Sequence, residues 1–127
     1  MQTVDLQQFK DAECYVGIDL SAVSDLTCWT VLFPPDEDRK IWPDKYVFKS
    51  FAYLPEDTIE KSANRSIYKV FIKNGELKLT ADNVIDYDVI LNDLLTLNDS
   101  CYIISVAYDS WNATQFAINA TSAGLPM

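Results

Sequence analysis

Apolar runs of strand length occur at four places along the chain, and three of them come before residue 54. Residues 14–20 and 26–34 are short, apolar and separated by a polar, turn-like gap, so they predict an antiparallel hairpin. Residues 45–53 alternate polar and apolar side chains, which predicts a third, half-exposed strand. Residues 101–109 are apolar almost without interruption until an aspartate ends the run, which is typical of a strand buried on both faces.

Two helical signals follow the third strand. Pro55 suits a first helical turn, and the two acids after it favour the positive end of a helix dipole. Residues 66–77 predict a second short helix, with Ser66 as its N-cap and Gly75 just past its end. We therefore expect helical structure between the third and fourth strands.

Two stronger helical patterns surround the fourth strand. Residues 84–98 have apolar side chains at helical spacing after a cap at Asp86. Residues 110–124 repeat the pattern, with Gly124 in position to end the helix. The residues predicted to form the apolar stripes are Val89, Ile90, Leu94 and Leu97 in the first helix and Ala113, Phe116, Ala117 and Ala120 in the second.

This order of elements predicts an α/β fold with a mixed sheet. Three antiparallel strands come first, and a later strand runs parallel to the first one, with helices flanking the sheet. A ribonuclease H-like sheet begins in this way. We expect residues 1–127 to form one domain, with residues 1–12 as a polar lead-in and residues 13–127 as the core. A further strand at the C-terminal end is expected to be missing or incomplete.

The first and fourth strands of this sheet both end on an aspartate. Since the topology makes these strands neighbours, Asp19 and Asp109 should lie side by side, with small residues, Gly17 and Ala107, on the same faces as the acids. Adjacent carboxylates repel each other, and a divalent cation such as Mg²⁺ removes that conflict. Two such ions about 4 Å apart can clamp both oxygens of a phosphoryl displacement. The pattern therefore favours a metal-dependent phosphodiesterase site.

The composition excludes several other kinds of site. The chain has no histidine, which excludes Ser-His-Asp and Cys-His catalysis and the usual zinc sites. Cys14, Cys28 and Cys101 are odd in number and lack metal-like spacing, so we expect reduced, packed cysteines. The chain contains neither an apolar run long enough for a bilayer nor a secretory signal, so we expect an intracellular protein without membrane contact.

The net charge of −9 argues against a strong nucleic-acid surface on this chain alone. Lys61, Arg65, Lys69 and Lys73 are close in sequence and would face a nucleic-acid backbone if the helical segments expose them. The alternative is that these four residues form an ordinary solvated face. Any strong DNA affinity is therefore expected to come mainly from other parts of a longer protein.

From about residue 14 to residue 124, the chain resembles the nuclease domain of tailed-phage terminase large subunits. The resemblance rests on four segments in order and spacing: YVGIDLSAVSDLTCW, YLPEDTIEKSANR, NGELKLTADNVIDYDVI and VAYDSWNATQFA. It implies a ribonuclease H-like, metal-dependent endonuclease that cuts concatemeric double-stranded DNA during phage packaging in the cytoplasm of the bacterial host. The implied partners are DNA, the terminase small subunit and the portal protein.

The resemblance also assigns the site residues. By position, Asp19 corresponds to the family's first metal-binding aspartate and Asp109 to the second, and both would be catalytic. Asp25 matches an acidic position in the family and is a third candidate metal ligand. The implied cofactor is Mg²⁺ or Mn²⁺, with two ions in the complete site.

Two departures from the family matter. The family has an N-terminal ATPase domain in the same full-length chain, and the three glycines here provide no phosphate-cradling loop, so that domain is absent from this sequence. The family also places a third catalytic acid after a further strand. We therefore expect a fragment of a longer protein, or a degenerate gene product, that is inactive alone.

Each site residue also has a structural alternative. Asp19 or Asp25 would cap the turn between the first two strands, and Asp109 would be the N-cap of the last helix. Two further functions are consistent with the sequence. One is a noncatalytic acidic interaction module, and the other is a different ribonuclease H-like nuclease such as a junction resolvase.

Overall fold

The computed structural model describes residues 5–20, 26–38, 43–56, 65–80, 86–109 and 113–127. Five strands, three α-helices and a short 3-10 helix at Leu6–Phe9 lie within these ranges. The strands are β1 Glu13–Asp19, β2 Thr27–Phe33, β3 Val47–Pro55, β4 Leu77–Thr80 and β5 Tyr102–Tyr108. The helices are α1 Arg65–Lys73, α2 Tyr87–Ser100 and α3 Thr114–Ser122.

The strands form one mixed sheet in the order β4-β3-β2-β1-β5. Neighbouring strands among β1, β2 and β3 are antiparallel, whereas β5 runs parallel to β1. The predicted α/β fold class and the predicted pairing of the first strand with the later parallel strand are therefore confirmed. On the outer edge of β5, the backbone N–H of Val106 donates to the carbonyl of Pro126 at 3.0 Å, so the residues after α3 return to the sheet.

One face of the sheet is packed and the other is largely open. Burial alternates strictly along β1, so that its even-numbered residues face the core and its odd-numbered residues face outward. The core side is covered by α2 and α3, whose buried residues are six of the eight predicted stripe residues: Ile90, Leu94, Leu97, Phe116, Ala117 and Ala120. Val89 is only partly buried, and Ala113 is buried but precedes α3. We call the opposite side the open face; on β1 it carries Glu13, Tyr15, Gly17 and Asp19.

The one-sided packing corrects the expectation for β5. A strand buried on both faces was predicted, but only Ile103 and Val106 of β5 are buried. Tyr102 and Ile104 are exposed. No described helix covers β5 on the open face, so apolar side chains that point to that side stay in contact with solvent.

The segment between β3 and α2 also differs from the prediction. Pro55 ends β3 and pairs with Thr80, and Glu56 directly after it is helical. The rest of the predicted first helix, residues 57–64, lies outside the described ranges. Ser66 lies inside α1 instead of capping it. Gly75 does follow the helix, at a φ of 76° that favours glycine. The four residues of β4 were not predicted, because a strand this short carries too little alternation to be recognised.

The N-terminal segment, expected to be a polar lead-in, contributes Leu6, Phe9 and Ala12 to the core. Asp5 caps the 3-10 helix by accepting from the backbone N–H of Gln7 at 3.0 Å. Phe9 is buried and stacks on Phe33 with ring centroids 4.2 Å apart. The core is therefore continuous with residues that precede β1.

The cysteines are all free, as predicted. Burial, with a smaller contribution from Cys101, raises the pKa of Cys14 to about 12. The thiol of Cys101 is buried and donates to the carbonyl of Phe9 at 3.2 Å. These two cysteines therefore act as small core residues. None of the described helices has the length and apolar character needed to cross a membrane.

A polar network joins the sheet to α2. The hydroxyl of Tyr53 accepts from the indole N–H of Trp29 at 2.8 Å and donates to Asp93 at 2.7 Å. The ammonium group of Lys78 in β4 forms an ion pair with the same carboxylate at 3.1 Å. Burial and the hydrogen bond to Asp93 raise the pKa of Tyr53, so its hydroxyl stays protonated.

Removing this hydroxyl should destabilise the domain. In Tyr53→Phe the buried N–H of Trp29 loses its acceptor, which should lower the free energy of unfolding by about 1–3 kcal/mol. The control is Tyr46→Phe, because Tyr46 is 68% exposed and its loss should change stability by less than about 0.5 kcal/mol. Urea denaturation of both variants measures the difference, and equal stability would contradict a structural role for the network.

Candidate active site at the ends of β1 and β5

Two carboxylates lie at the same edge of the sheet. Asp19 is the last residue of β1, and Asp109 directly follows β5. The last registered pair between these strands is Ile18 with Tyr108, so the two aspartates come one position later on adjacent strands. Neighbouring strands are roughly 4.8 Å apart. The structure therefore makes these two sequence-distant positions neighbours, as the topology predicted.

A β-bulge puts both acids on the open face. Cys14 pairs with Ile103 and Tyr15 pairs with Ser105, so Ile104 is the extra residue. Beyond the bulge Gly17 pairs with Ala107, and this alternation brings Asp109 to the face of Asp19. With regular pairing, Asp109 would share the side of Ile103, which is the core side. The bulge is thus the local feature that brings the two carboxylates to one surface.

The neighbour of Asp19 on its other side is Cys28 in β2. Burial raises the pKa of the Cys28 thiol, and the charge of Asp19 raises it further. The carboxylate of Asp19 therefore interacts electrostatically with the Cys28 thiol. Asp19 and Asp109 are both exposed to solvent.

Asp109 is not the N-cap of α3, which was the structural alternative for this residue. Helix α3 begins at Thr114, its N-cap position is Ala113, and no side chain caps it. Asp25, the third candidate ligand, lies outside the described ranges, as do residues 110–112. Within those ranges no group of three or more acidic or cysteine side chains could hold a metal ion. Of the three predicted ligands, the described ranges therefore contain Asp19 and Asp109.

This donor set fits a hydrated magnesium or manganese ion. Mg²⁺ and Mn²⁺ prefer oxygen ligands, and Mg²⁺ keeps several waters and often binds through only one or two carboxylates together with a substrate phosphate. Two exposed carboxylates at adjacent strand ends can be reached by such an ion without rearrangement of the core. Zn²⁺ does not fit, because the chain has no histidine and the buried Cys14 and Cys101 are unavailable as ligands.

The predicted cationic cluster is present in part. Arg65, Lys69 and Lys73 follow each other at four-residue spacing and are exposed on α1, whereas Lys61 lies outside the described ranges. Helix α1 packs Tyr68 and Ile72 against the small cluster of Leu54 and Leu77. The cations therefore lie on a helix of the β3–β4 side, separated from the two acids by β2.

A cavity of about 900 Å³ lies near the β3–β4 side of the sheet and is lined by neither candidate ligand. Its wall includes the stacked pair Trp29 and Phe51 and the Tyr53–Asp93 hydrogen bond. Sequence analysis missed this region because β4, which closes part of it, was not recognised. The cavity and the two aspartates are separate features of the described structure.

Comparison with known proteins agrees with this topology. A family model described as the endonuclease domain of the terminase large subunit matches residues 2–127, and the chain belongs to that family. The terminase large subunit of Enterobacteria phage HK97 is 30% identical over 115 residues. The crystal structure of the HK97 bacteriophage large terminase superimposes with a TM-score of 0.72 and 25% identity, over 95% of this chain. The chain spans 22% of the length of the first protein and 26% of the chain in the second.

Proposed function

We propose that this chain is a metal-dependent endonuclease domain of a phage DNA-packaging terminase. In this proposal the domain cuts concatemeric double-stranded DNA by two-metal phosphodiester hydrolysis. The observation that carries the proposal is the position of Asp19 and Asp109 at adjacent strand ends on one open face. The family match favours this function over another ribonuclease H-like nuclease such as a junction resolvase.

Each residue has a defined role in the proposed site. Asp19 and Asp109 would hold Mg²⁺ or Mn²⁺, with Asp25 as a further ligand. When bound, the ions would supply positive charge against the attacking and leaving oxygens of the phosphodiester. The ions also remove the repulsion between the two carboxylates. On its β1 and β5 side the open face carries no described helix, so both acids are accessible to a phosphodiester of the substrate.

The proposed partners follow from the family and from the charge. Double-stranded DNA is the substrate, and the ATPase domain of the same full-length chain, the terminase small subunit and the portal protein are the protein partners. The net charge of −9 opposes capture of DNA by this domain alone. DNA affinity is therefore assigned mainly to other parts of the full-length protein, acting in the host cytoplasm.

Metal binding is the direct test of the site. Titration of the chain with Mn²⁺, followed by paramagnetic line broadening, should show weak binding that Asp19→Asn lowers by about tenfold or more. The control is Asp99→Asn, which removes the same charge from an exposed position on α2. A loss of affinity confined to Asp19→Asn supports the site, since a general charge effect would appear in both variants.

Two outcomes would count against the proposal. Equal Mn²⁺ binding by the wild type, Asp19→Asn and Asp99→Asn would contradict the role of Asp19 as a metal ligand. Absence of site-specific binding, together with absence of DNA cleavage by the complete polypeptide, would favour the noncatalytic interaction module instead.

A further inference from the structure

Gly17 occupies a position where neither backbone conformation nor packing calls for glycine. It lies in the interior of β1, paired with Thr30 on one side and Ala107 on the other. Glycine weakens a strand interior because it has the largest conformational entropy to lose and no side chain to pack. A strand position of this kind usually carries a side chain.

The other two glycines have clear structural reasons. Gly75 and Gly124 have φ values of 76° and 100°, which side chains rarely tolerate. The φ of Gly17 is outside that region, and a Cβ atom added there would meet no heavy atom of the described residues within 4 Å. A larger residue would therefore fit the described protein without strain. The absence of a side chain leaves empty space above the sheet.

That empty space lies directly beside the two acids. Gly17 is two residues before Asp19 on the same face, roughly 6.6 Å along the strand. Its partner Ala107 stands in the same relation to Asp109 and is also small. On the other side of Gly17, Thr30 in β2 and Ser50 in β3 lie on the same face. Their hydroxyls are hydrogen bonded to each other at 2.7 Å, which keeps these side chains close to the sheet surface. The first bulky side chain of β1 on this face is Tyr15, two positions farther from the acids.

We propose that Gly17 has a clearance role: its missing side chain leaves room for the sugar-phosphate backbone of the DNA strand being cut. This inference rests on the proposed function. A phosphate held at the Asp19–Asp109 edge must be continued by nucleotides on both sides, and one of these directions crosses Gly17 and Ala107. Glycine within a strand often marks the close approach of a ligand or another backbone. A side chain at residue 17 would lift the strand away from the acids.

The test is a series of increasing size at residue 17 in the complete polypeptide. Gly17→Ala should lower plasmid cleavage in Mn²⁺ moderately, and Gly17→Val should lower it on the order of a hundredfold, because small displacements of a reacting group cost that much. Mn²⁺ affinity should stay within about twofold, since no metal ligand is changed. The thermal midpoint should not fall, because valine suits a strand better than glycine does.

Two comparisons distinguish a steric effect on the DNA strand from a general loss of activity. Ser50→Val adds bulk on the same face roughly 10 Å away, across two strand spacings, and should leave cleavage unchanged. Hydrolysis of bis(4-nitrophenyl) phosphate, which is too short to extend over Gly17, should also be unchanged in Gly17→Val. An equal loss with this small diester, a loss of Mn²⁺ affinity, or an equal effect of Ser50→Val would overturn the proposal.

Failure of the clearance role can be distinguished from failure of the proposed function. Wild-type cleavage by Gly17→Val, together with loss of cleavage in Asp19→Asn, would reject the role of Gly17 and leave the nuclease site intact. Cleavage that is unaffected by Asp19→Asn would reject the nuclease site itself, and the clearance role with it.

Discussion

Asp109→Ala, which removes the carboxylate, should lower the rate of plasmid cleavage by the complete polypeptide on the order of a thousandfold. Asp109 is proposed to hold metal next to Asp19, and its position at the end of β5 is fixed by the pairing of β5 with β1. Without it, at least one ion loses a ligand at the point where charge develops in the transition state. A thousandfold loss corresponds to roughly 4 kcal/mol of transition-state stabilisation. Plasmid nicking and linearisation in Mn²⁺ measure the rate.

Two comparisons define this experiment. Asp99→Ala changes the charge equally at an exposed position on α2 and should retain the wild-type rate. The 127-residue chain alone should cleave more slowly than the complete polypeptide, because its net charge of −9 opposes capture of DNA. Equal rates for wild type and Asp109→Ala would mean a contaminating nuclease or a different active site.

Leu94→Ala should lower the free energy of unfolding by about 3–5 kcal/mol. Leu94 lies in the middle of α2, has no exposed surface and belongs to the main core between α2 and the sheet. The loss combines the transfer free energy of the removed atoms with the cost of the cavity that remains. Since domains of this kind are stable by only about 5–15 kcal/mol, this one change removes a large part of the total. Urea denaturation followed by circular dichroism measures the loss.

The matched control is Leu26→Ala, the same substitution at a residue that is 51% exposed before β2. It should cost less than about 1 kcal/mol, because little apolar surface leaves a buried environment. Equal losses in the two variants would show that α2 does not pack on the sheet as described. A loss in Leu94→Ala without a change in the denaturant slope would exclude an effect on the unfolded state.

The sheet topology was predictable because the elements that define it carry strong local patterns. The alternation in β1 and β2 and the helical spacing of Ile90, Leu94 and Leu97 all agree with the packed structure. Once a parallel strand follows the α2 helix, few topologies remain, and the common one puts β5 beside β1. The neighbouring strand ends of Asp19 and Asp109 follow from this pairing alone.

The features that the sequence did not reveal depend on contacts between distant segments. Residues 77–80 carry no clear strand pattern, and only their pairing with residues 52–55 of β3 shows that they form a strand. The uniform apolar run of β5 contains no sign of a bulge at Ile104, because either face would accept those side chains. Phe9 is a single aromatic residue in a polar segment, and only its stacking on Phe33 shows that it is part of the core.

The candidate site was predictable in its residue types and in part of its geometry. Carboxylates at strand ends and the absence of histidine already favoured a hard metal ion. That both acids share one open face requires the bulge, and the space above Gly17 among the described residues depends on the packing of distant segments. Asp25 remains a prediction from the sequence.

The open face also governs how copies of the domain behave toward each other in solution. On the open face Phe48 and Tyr102 are 67% and 63% exposed, so this surface offers apolar area for association with another molecule. The net charge of −9 keeps molecules apart at low ionic strength. At physiological salt this repulsion reaches only about 8 Å. Concentrated samples in high salt therefore lose their protection against association, and dilute, low-salt buffers keep the domain dispersed.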